Sequence, residues 1–167
     1  MIIARAPLRI PLGGGGTDLP SYYSLYGGKW ISAAINKYIY IILNKRFEHT
    51  LRISYSQTEE VSTPEEVQHP IVKEALRMLN IDGGIEIVSI ADIPSQTGMG
   101  TSGSFTVALL TALYGYLRNK IQKDLPSRQQ IAEEACHIAM DILKEPSGKQ
   151  DEYIAAFGGI TAFEVNQ

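Results

Sequence analysis

The segment IPSQTGMGTSGSFTVALLTALYGYL, residues 93–117, separates two halves of the chain that differ in character. It begins with a glycine-rich run and continues, from Ser104 to Leu117, as an almost unbroken series of apolar residues. A helix that is apolar on all sides is normally buried, so we expect a helix over 104–117 at the centre of the fold. The glycine-rich run would then form the turn that leads into the N-terminus of this helix.

The half before this segment is dominated by patterns typical of strands. β-Branched and aromatic residues, with short polar breaks between them, predict strands over 2–12, 30–35, 38–47, 51–56 and 84–90. A helix is predicted over 70–79, where apolar residues recur at helical spacing. Residues 59–68 are polar and are predicted to form a loop. Asp18 could cap a short turn or helix that ends near Tyr26.

The half after it is predicted to be mainly helical. Ser127 and Gln130 form a capping-box pattern, and the helix that follows carries one apolar stripe and should end before Pro146. A short helix is expected over 151–157 and a last strand over 160–165. Strands followed mostly by helices indicate an α+β fold.

Composition limits the class of protein. The 167 residues suit one domain, and 44% hydrophobic with 20% charged residues is ordinary for a globular protein. A net charge of −3 gives no general attraction to nucleic acid or anionic lipid. The single cysteine, Cys136, excludes an internal disulfide and suits a cytoplasmic protein. We expect no signal peptide and no membrane-spanning segment, because no apolar run is long enough.

The glycine-rich run over 98–104 has the properties of a phosphate-binding loop. Its glycines are Gly98, Gly100 and Gly103, and its hydroxyl residues are Thr101, Ser102 and Ser104. The N-terminus of a helix offers unpaired N–H groups and partial positive charge, glycines let backbone wrap an anion, and hydroxyls can reach phosphate or Mg²⁺. The run is neither a Walker A loop nor a dinucleotide-binding fingerprint. A Ser/Gly turn that only caps a core helix is the alternative.

Two other segments carry candidate site residues. Asp151 stands at the start of a predicted short helix, and a carboxylate beside an acceptor hydroxyl can take or orient its proton in phosphoryl transfer. Asp151 as a helix N-cap is the alternative. The four consecutive glycines over 13–16, followed by Thr17 and Asp18, are costly in backbone entropy and favour a place where backbone must approach something closely.

Three segments, in this order, resemble the small-molecule kinases of the galactokinase, homoserine kinase, mevalonate kinase and phosphomevalonate kinase (GHMP) superfamily. They are APLRIPLGGGGTD (6–18), PSQTGMGTSGS (94–104) and GKQDEYIAAFGG (148–159). Within this superfamily the first segment is very similar to sugar kinases that phosphorylate D-glycero-D-manno-heptose 7-phosphate. The resemblance implies the superfamily's N-terminal domain fold, an α+β domain like domain 2 of ribosomal protein S5. It also implies transfer of the γ-phosphoryl group of ATP, with Mg²⁺, to a sugar hydroxyl, here the anomeric one.

The resemblance also assigns roles to individual residues. Asp151 matches the catalytic aspartate, and Arg9 matches a basic residue near the transferred phosphoryl group. Ser102 matches the serine that coordinates magnesium, and Asp141, ten positions before Asp151, lies near the position of a metal-binding glutamate. The loop implied to bind ATP consists of Gly98, Met99, Gly100, Thr101, Ser102, Gly103 and Ser104. The segment implied to lie against the sugar consists of Gly14, Gly15, Gly16, Thr17 and Asp18, with Asp18 accepting hydrogen bonds from sugar hydroxyls.

The resemblance implies a further, C-terminal domain that should follow about where this chain stops. We therefore expect residues 1–167 to form the ATP- and sugar-binding domain, with apolar surface left exposed that could support a homo-oligomer. The expected partner is a small-molecule sugar or sugar phosphate, not nucleic acid or a membrane. Two alternatives stay open. One is another sugar kinase of the superfamily, such as a fucokinase. The other is a non-catalytic binding or assembly module that keeps the fold.

Overall fold

The computed structural model describes residues 1–94, 97–121 and 125–166. Within these residues the strands are β1 (Ile2–Gly13), β2 (Gly28–Lys45), β3 (Leu51–Ser54), β4 (Thr58–Val61), β5 (Ile85–Ala91) and β6 (Ile160–Val165). The α-helices are α1 (Pro20–Tyr26), α2 (Pro70–Met78), α3 (Thr101–Ile121), α4 (Arg128–Cys136) and α5 (Gln150–Phe157). A 3₁₀ turn covers Pro64–Glu66, and a π-helical turn covers His137–Ile142. No helix of the described part of the chain is long and apolar enough to cross a membrane.

The strands form one sheet in the order β1-β2-β5-β3-β4, and β6 also pairs with β2. The long strand β2 is central, because its first half pairs with β6, its second half pairs with β5, and β1 runs along both halves. The pairs are antiparallel except for β3 with β5, which is parallel. This arrangement brings Arg9 of β1 to the N-termini of α3 and α5, where the candidate site lies.

The core lies between the sheet and the helices. Alternate residues of β1 point inward and are buried, namely Ala4, Ala6 and Leu8. On α3 almost every residue from Val107 to Leu113 is buried, Thr111 being the exception, as expected for a helix packed on several sides. Each large apolar side chain buried in this way contributes about 1.5–3 kcal/mol. The expectation of a buried central helix is therefore confirmed, although α3 begins earlier and ends later than predicted.

Most predicted elements are present, but three predictions were wrong. The two strands predicted over 30–35 and 38–47 are one strand, β2, which ends at Lys45, because a shift in its register against β1 lets the exposed polar Asn36 and Lys37 remain within it. Residues 59–68 are not a simple loop: they include a 3₁₀ turn and most of β4, which pairs with β3, and the Glu59 side chain is buried. Asp18 does not cap α1, whose N-cap is Leu19 without a side-chain hydrogen bond.

Candidate active site

A partly buried ion pair connects β1 with the first turn of α5. Arg9 Nε donates to Asp151 Oδ1 at 2.6 Å, and Arg9 Nη2 lies 2.5 Å from the same oxygen. Arg9 Nη1 also donates to the carbonyl of Gly98 at 2.8 Å, and the Arg9 backbone N–H donates to the carbonyl of Met99 at 3.1 Å. Arg9 therefore binds the candidate catalytic carboxylate and the glycine-rich loop at the same time.

Two glycines let the N-terminus of α3 approach this carboxylate. Gly100 has φ +74°, and a Cβ there would lie 3.0 Å from Asp151 Cγ. A Cβ on Gly103 would lie 2.8 Å from Asp151 Cβ. Because neither residue carries a side chain, the Asp151 carboxylate lies beside the helix end whose unpaired N–H groups attract anions.

The hydroxyl residues of the loop have different surroundings. Ser104 is buried, and its Oγ donates to the carbonyl of Pro7 at 2.7 Å, so this residue fixes α3 to β1. Ser102 is exposed, Thr101 is half-buried, and neither side-chain hydroxyl has a hydrogen-bond partner among the described residues. Thr101 and Ser102 are therefore the hydroxyls that a ligand could meet.

The charge of Asp151 is set by opposing effects. Burial raises the pKa of the Asp151 carboxyl, the Arg9 guanidinium lowers it, and the charge of Asp18 raises it further, so that the pKa lies above the ordinary value for aspartate. A carboxylate with a raised pKa is the better proton acceptor. Asp151 is not the N-cap of α5. The N-cap is Lys149, which makes no side-chain capping bond.

Asp18 lies beneath the start of α5 and is only 5% exposed. Its Oδ1 accepts from the N–H of Gly16 at 3.0 Å, and its Oδ2 accepts from the N–H of Gln150 at 3.0 Å. A Cβ on Gly148 would overlap Asp18 Oδ2, so the carboxylate fits only because residue 148 is a glycine. The structure thus brings Asp18 close to Asp151 through the helix that carries Asp151.

The glycine run shows two kinds of glycine. Gly14, with φ +76°, is packed against β2, where a Cβ would overlap the carbonyl of Lys29. The Thr17 hydroxyl lies within hydrogen-bonding distance of the Gly14 and Lys29 carbonyls and accepts from the Lys29 N–H at 3.0 Å. By contrast, a Cβ on Gly15 or Gly16 would meet no atom within 4 Å. Gly14 and Thr17 therefore shape the loop, and Gly15 and Gly16 border open space.

Asp141 lies on the π-helical turn and is 66% exposed at its side chain. Its Oδ2 lies 2.8 Å from Nδ1 of His137. Across residues 1–94, 97–121 and 125–166, no group of three or more His, Cys, Asp or Glu side chains is placed to hold a metal ion. Neither Asp141 nor Ser102 is therefore part of a preformed cage of protein ligands.

A cavity of about 1000 Å³ opens beside the glycine-rich loop, and no motif in the sequence indicated it. Its lining includes Thr101 and Ser102 of the loop together with the rings of Phe105, His69 and Tyr55. The His69 ring stacks on Phe105 with centroids 4.8 Å apart, and Tyr55 packs edge-on against His69. We call this space the side cavity. Its wall offers flat aromatic surface next to the predicted phosphate loop.

The wall of the side cavity is held by a buried carboxylate. Glu59 accepts hydrogen bonds from the N–H groups of Gln68 and His69, at 2.6 and 3.1 Å, and from the Tyr55 hydroxyl at 2.7 Å. Burial acts to raise the pKa of Glu59, but these hydrogen bonds together outweigh it, so the pKa lies below the ordinary value for glutamate. Two of the three donors are backbone groups, so residue types alone give no signal for this arrangement.

Comparison with known proteins gives one family and several relatives. Residues 70–159 match the model described as the GHMP kinases N terminal domain. The D-glycero-alpha-D-manno-heptose 7-phosphate kinase of Campylobacter jejuni is 29% identical over 179 residues, which cover 98% of this chain and 50% of that protein. The L-fucokinase/L-fucose-1-P guanylyltransferase of Bacteroides fragilis is 26% identical over 199 residues, covering 99% of this chain and 20% of that protein.

A solved structure gives the same picture of the fold. The crystal structure of a D-glycero-D-manno-heptose 1-phosphate kinase from Bacteroides thetaiotaomicron matches all of this chain with a TM-score of 0.88 and 27% identity. The match covers 57% of that protein. The chain therefore spans about half the length of these two heptose phosphate kinases.

Proposed function

This chain belongs to the family of GHMP kinase N-terminal domains, and from that premise we propose that it supplies the ATP- and sugar-binding part of a sugar kinase. The reaction proposed is transfer of the γ-phosphoryl group of ATP to a sugar hydroxyl. The proposed acceptor is the anomeric hydroxyl of D-glycero-D-manno-heptose 7-phosphate. The observation that carries the proposal is the convergence of Arg9, Asp151 and the loop over 98–104 at the N-terminus of α3.

The nucleotide is proposed to lie across the loop and the side cavity. The phosphates would bind the N–H groups at the start of α3, where an anion is favoured by the helix dipole. The base would enter the side cavity against the stacked rings of His69 and Phe105. The cavity and the loop share Thr101 and Ser102, so one ligand can occupy both.

The residues present also suit Mg²⁺. This ion prefers oxygen ligands, keeps several waters and is usually held by one or two protein groups together with substrate phosphates. The unpaired hydroxyl of Ser102 fits that need, and Asp141 is proposed as the carboxylate ligand, which would require it to leave its pair with His137. When bound, the ion would neutralise charge on the phosphates.

The protein's own part in the chemistry is positioning and charge. Asp151 accepts the proton of the acceptor hydroxyl as the sugar oxygen bonds to the γ-phosphorus and the bond to ADP breaks. Arg9 stabilises the negative charge on the group in transfer. The sugar lies against residues 14–18, where Gly15 and Gly16 leave room for it and the edge of Asp18 accepts from its hydroxyls.

The test is a transfer assay with radiolabelled ATP and Mg²⁺, on this chain and on the longest natural polypeptide that carries it. Heptose 7-phosphate, heptose 1-phosphate and L-fucose are compared as acceptors, because relatives are named for each of these sugars. We expect transfer to heptose 7-phosphate. Transfer to L-fucose alone would show that the acceptor is L-fucose and not heptose 7-phosphate. A lack of ATP binding by calorimetry and of transfer to any acceptor would favour a non-catalytic module.

A further inference from the structure

We infer that Asp18 is a positioning residue that holds the first turn of α5, and with it Asp151, by binding the backbone N–H of Gln150. This role is separate from contact with a sugar, and it rests on the proposed function because it concerns the placement of the proposed proton acceptor. The distance between Asp18 and Gln150 along the chain, 132 positions, makes the contact a tertiary one.

The first reason is that α5 lacks a cap of its own. The first N–H groups of a helix have no partner within the helix. The N-cap residue Lys149 gives no side-chain hydrogen bond, and Asp18 Oδ2 takes that place at 3.0 Å from the Gln150 nitrogen. The negative charge of Asp18 also lies at the positive end of the α5 dipole, which adds to the stabilisation.

The second reason is that the carboxylate connects two parts of the site. Its other oxygen binds the N–H of Gly16, so Asp18 joins the glycine run to α5. Asp18 is 5% exposed and each of its oxygens already accepts from a backbone N–H, so only its small exposed edge is left for a sugar, while Gly148 packs directly over Oδ2.

The third reason is that the contact of Asp18 acts together with two others, from β2 and β1, to fix the same turn of α5. The Gln150 side chain accepts from the buried Ser32 hydroxyl at 3.0 Å, which fixes the turn to β2. Asp151 itself is bound by Arg9 of β1. The turn is therefore held by β1, by β2 and by Asp18. Releasing the Asp18 contact would let Asp151 move relative to Arg9, and a displacement of about 1 Å in an active site can cost roughly 100-fold in rate.

Two variants weaken this contact in different ways. Asp18→Asn keeps the shape but loses the charge and one of the two acceptor oxygens, so the N–H groups of Gly16 and Gln150 can no longer both be bound. Gly148→Ala leaves Asp18 unchanged and puts a methyl group where Oδ2 lies. Gly115→Ala is the matched control, because its Cβ would make only ordinary contact with Ile2, at 3.5 Å. If Gly148→Ala does not fold, the isosteric Asp18→Asn variant carries the test.

The decisive measurement is kcat per ATP-binding site, made on whichever polypeptide of the transfer assay is active. Each variant is measured in two backgrounds, the wild type and Asp151→Asn. Asp18→Asn and Gly148→Ala should each lower kcat about tenfold or more in the wild-type background and cause no further loss in the Asp151→Asn background. Gly115→Ala should stay near wild type. A rise in the sugar KM with kcat kept would show that Asp18 only contacts the sugar. Equal losses in both backgrounds would also overturn the inference.

A second readout needs no activity. The NMR signal of the Arg9 Nε–H, which is bonded to Asp151, should shift and exchange faster in Asp18→Asn and in Gly148→Ala, and should be unchanged in Gly115→Ala. An unchanged Arg9 signal in both variants overturns the inference even if none of the proteins transfers phosphate. Absence of transfer in the wild type, with the Arg9 signal altered in the variants, contradicts the proposed function alone.

Discussion

Arg9 and Asp151 lie 142 positions apart in the sequence, yet Nε and Nη2 of Arg9 both contact one carboxylate oxygen of Asp151. The pair is only partly exposed, so water screens it weakly. Removing one partner of such a pair leaves an uncompensated charge, which costs more than the loss of a surface ion pair. The second oxygen, Oδ2, lies beside Gly100 and is the oxygen that would accept the substrate proton in the proposed mechanism.

Asp151→Asn keeps the shape of the side chain and removes its charge. If Asp151 accepts the proton of the sugar hydroxyl, kcat should fall by about two orders of magnitude or more, while ATP affinity stays close to that of the wild type. Steady-state assays and calorimetry measure the two quantities. The exposed Asp82→Asn is the matched control. A near-normal kcat in Asp151→Asn would remove Asp151 from the mechanism.

Gly100→Val should abolish nucleotide binding. Residue 100 has φ +74°, which side-chain-bearing residues rarely adopt, and the added atoms would press on Asp151 at the N-terminus of α3. Calorimetry with ATP and Mg²⁺ measures the loss, and circular dichroism shows whether the variant is folded. Gly115→Ala, farther along α3, reports the effect of a glycine substitution in that helix. A folded Gly100→Val protein with unchanged ATP affinity would contradict the phosphate-loop assignment.

The sequence predicted those parts of the fold that local spacing determines. Residues 160–165 form a strand with the predicted bounds, and α2 differs from its prediction by one residue, because hydrophobic periodicity is a local property. The single long strand β2 could not be predicted in this way. Its polar Asn36 and Lys37 look like a break, and only the register against β1 shows that the strand continues.

The motifs of the candidate site could be predicted from the sequence, but the hydrogen bonds that join them could not. Its three motifs could be identified, and the structure brings Arg9, Asp151 and the glycine-rich loop together. The contact of Asp18 with Gln150 joins segments 132 positions apart, and no local pattern encodes it. Glu59 was missed for a different reason, since two of its three partners are backbone N–H groups, which any residue type supplies.

Glu152 should make the stability of the protein depend on pH. Its side chain is 4% exposed, and its Oε2 has no hydrogen-bond partner in the described part of the chain. Burial, with smaller effects from the charges of Asp151, Glu145 and Asp18, raises the pKa of Glu152 from its ordinary value of 4.5 to about 8. The folded state therefore binds the proton more tightly than the unfolded state. The resulting stabilisation is complete below about pH 4.5 and is lost as pH rises through about 8.

Urea unfolding between pH 5 and pH 9 tests this dependence. The free energy of unfolding should fall by a few kcal/mol over this range, since one pKa unit corresponds to about 1.4 kcal/mol. Glu152→Gln, which mimics the protonated form, should flatten the curve, and the exposed Glu65→Gln should not. The same slope in wild type and Glu152→Gln would show that Glu152 is not responsible.

Self-association is predicted from the apolar surface where β1, β2 and β6 meet. Ile10 and Ile160 both pair with Ala33, and Ile31 lies two residues before Ala33, so these side chains share one face of the sheet. All three isoleucines are exposed, Ile160 by 75%. We expect a dimer or larger species in sedimentation experiments, shifted toward monomer by Ile160→Lys. A wild-type monomer at high concentration would contradict this.

The separation of Arg9 from Asp151 also has a consequence for synthesis on the ribosome. β1 and β2 lie close together in sequence and can pair early, whereas α5 is made long after both of them. Contacts between such distant segments form slowly, because a long loop must close before they gain any stability. A nascent chain can therefore hold a formed β1–β2 pair, with Arg9 in place, well before the carboxylate that completes the site arrives.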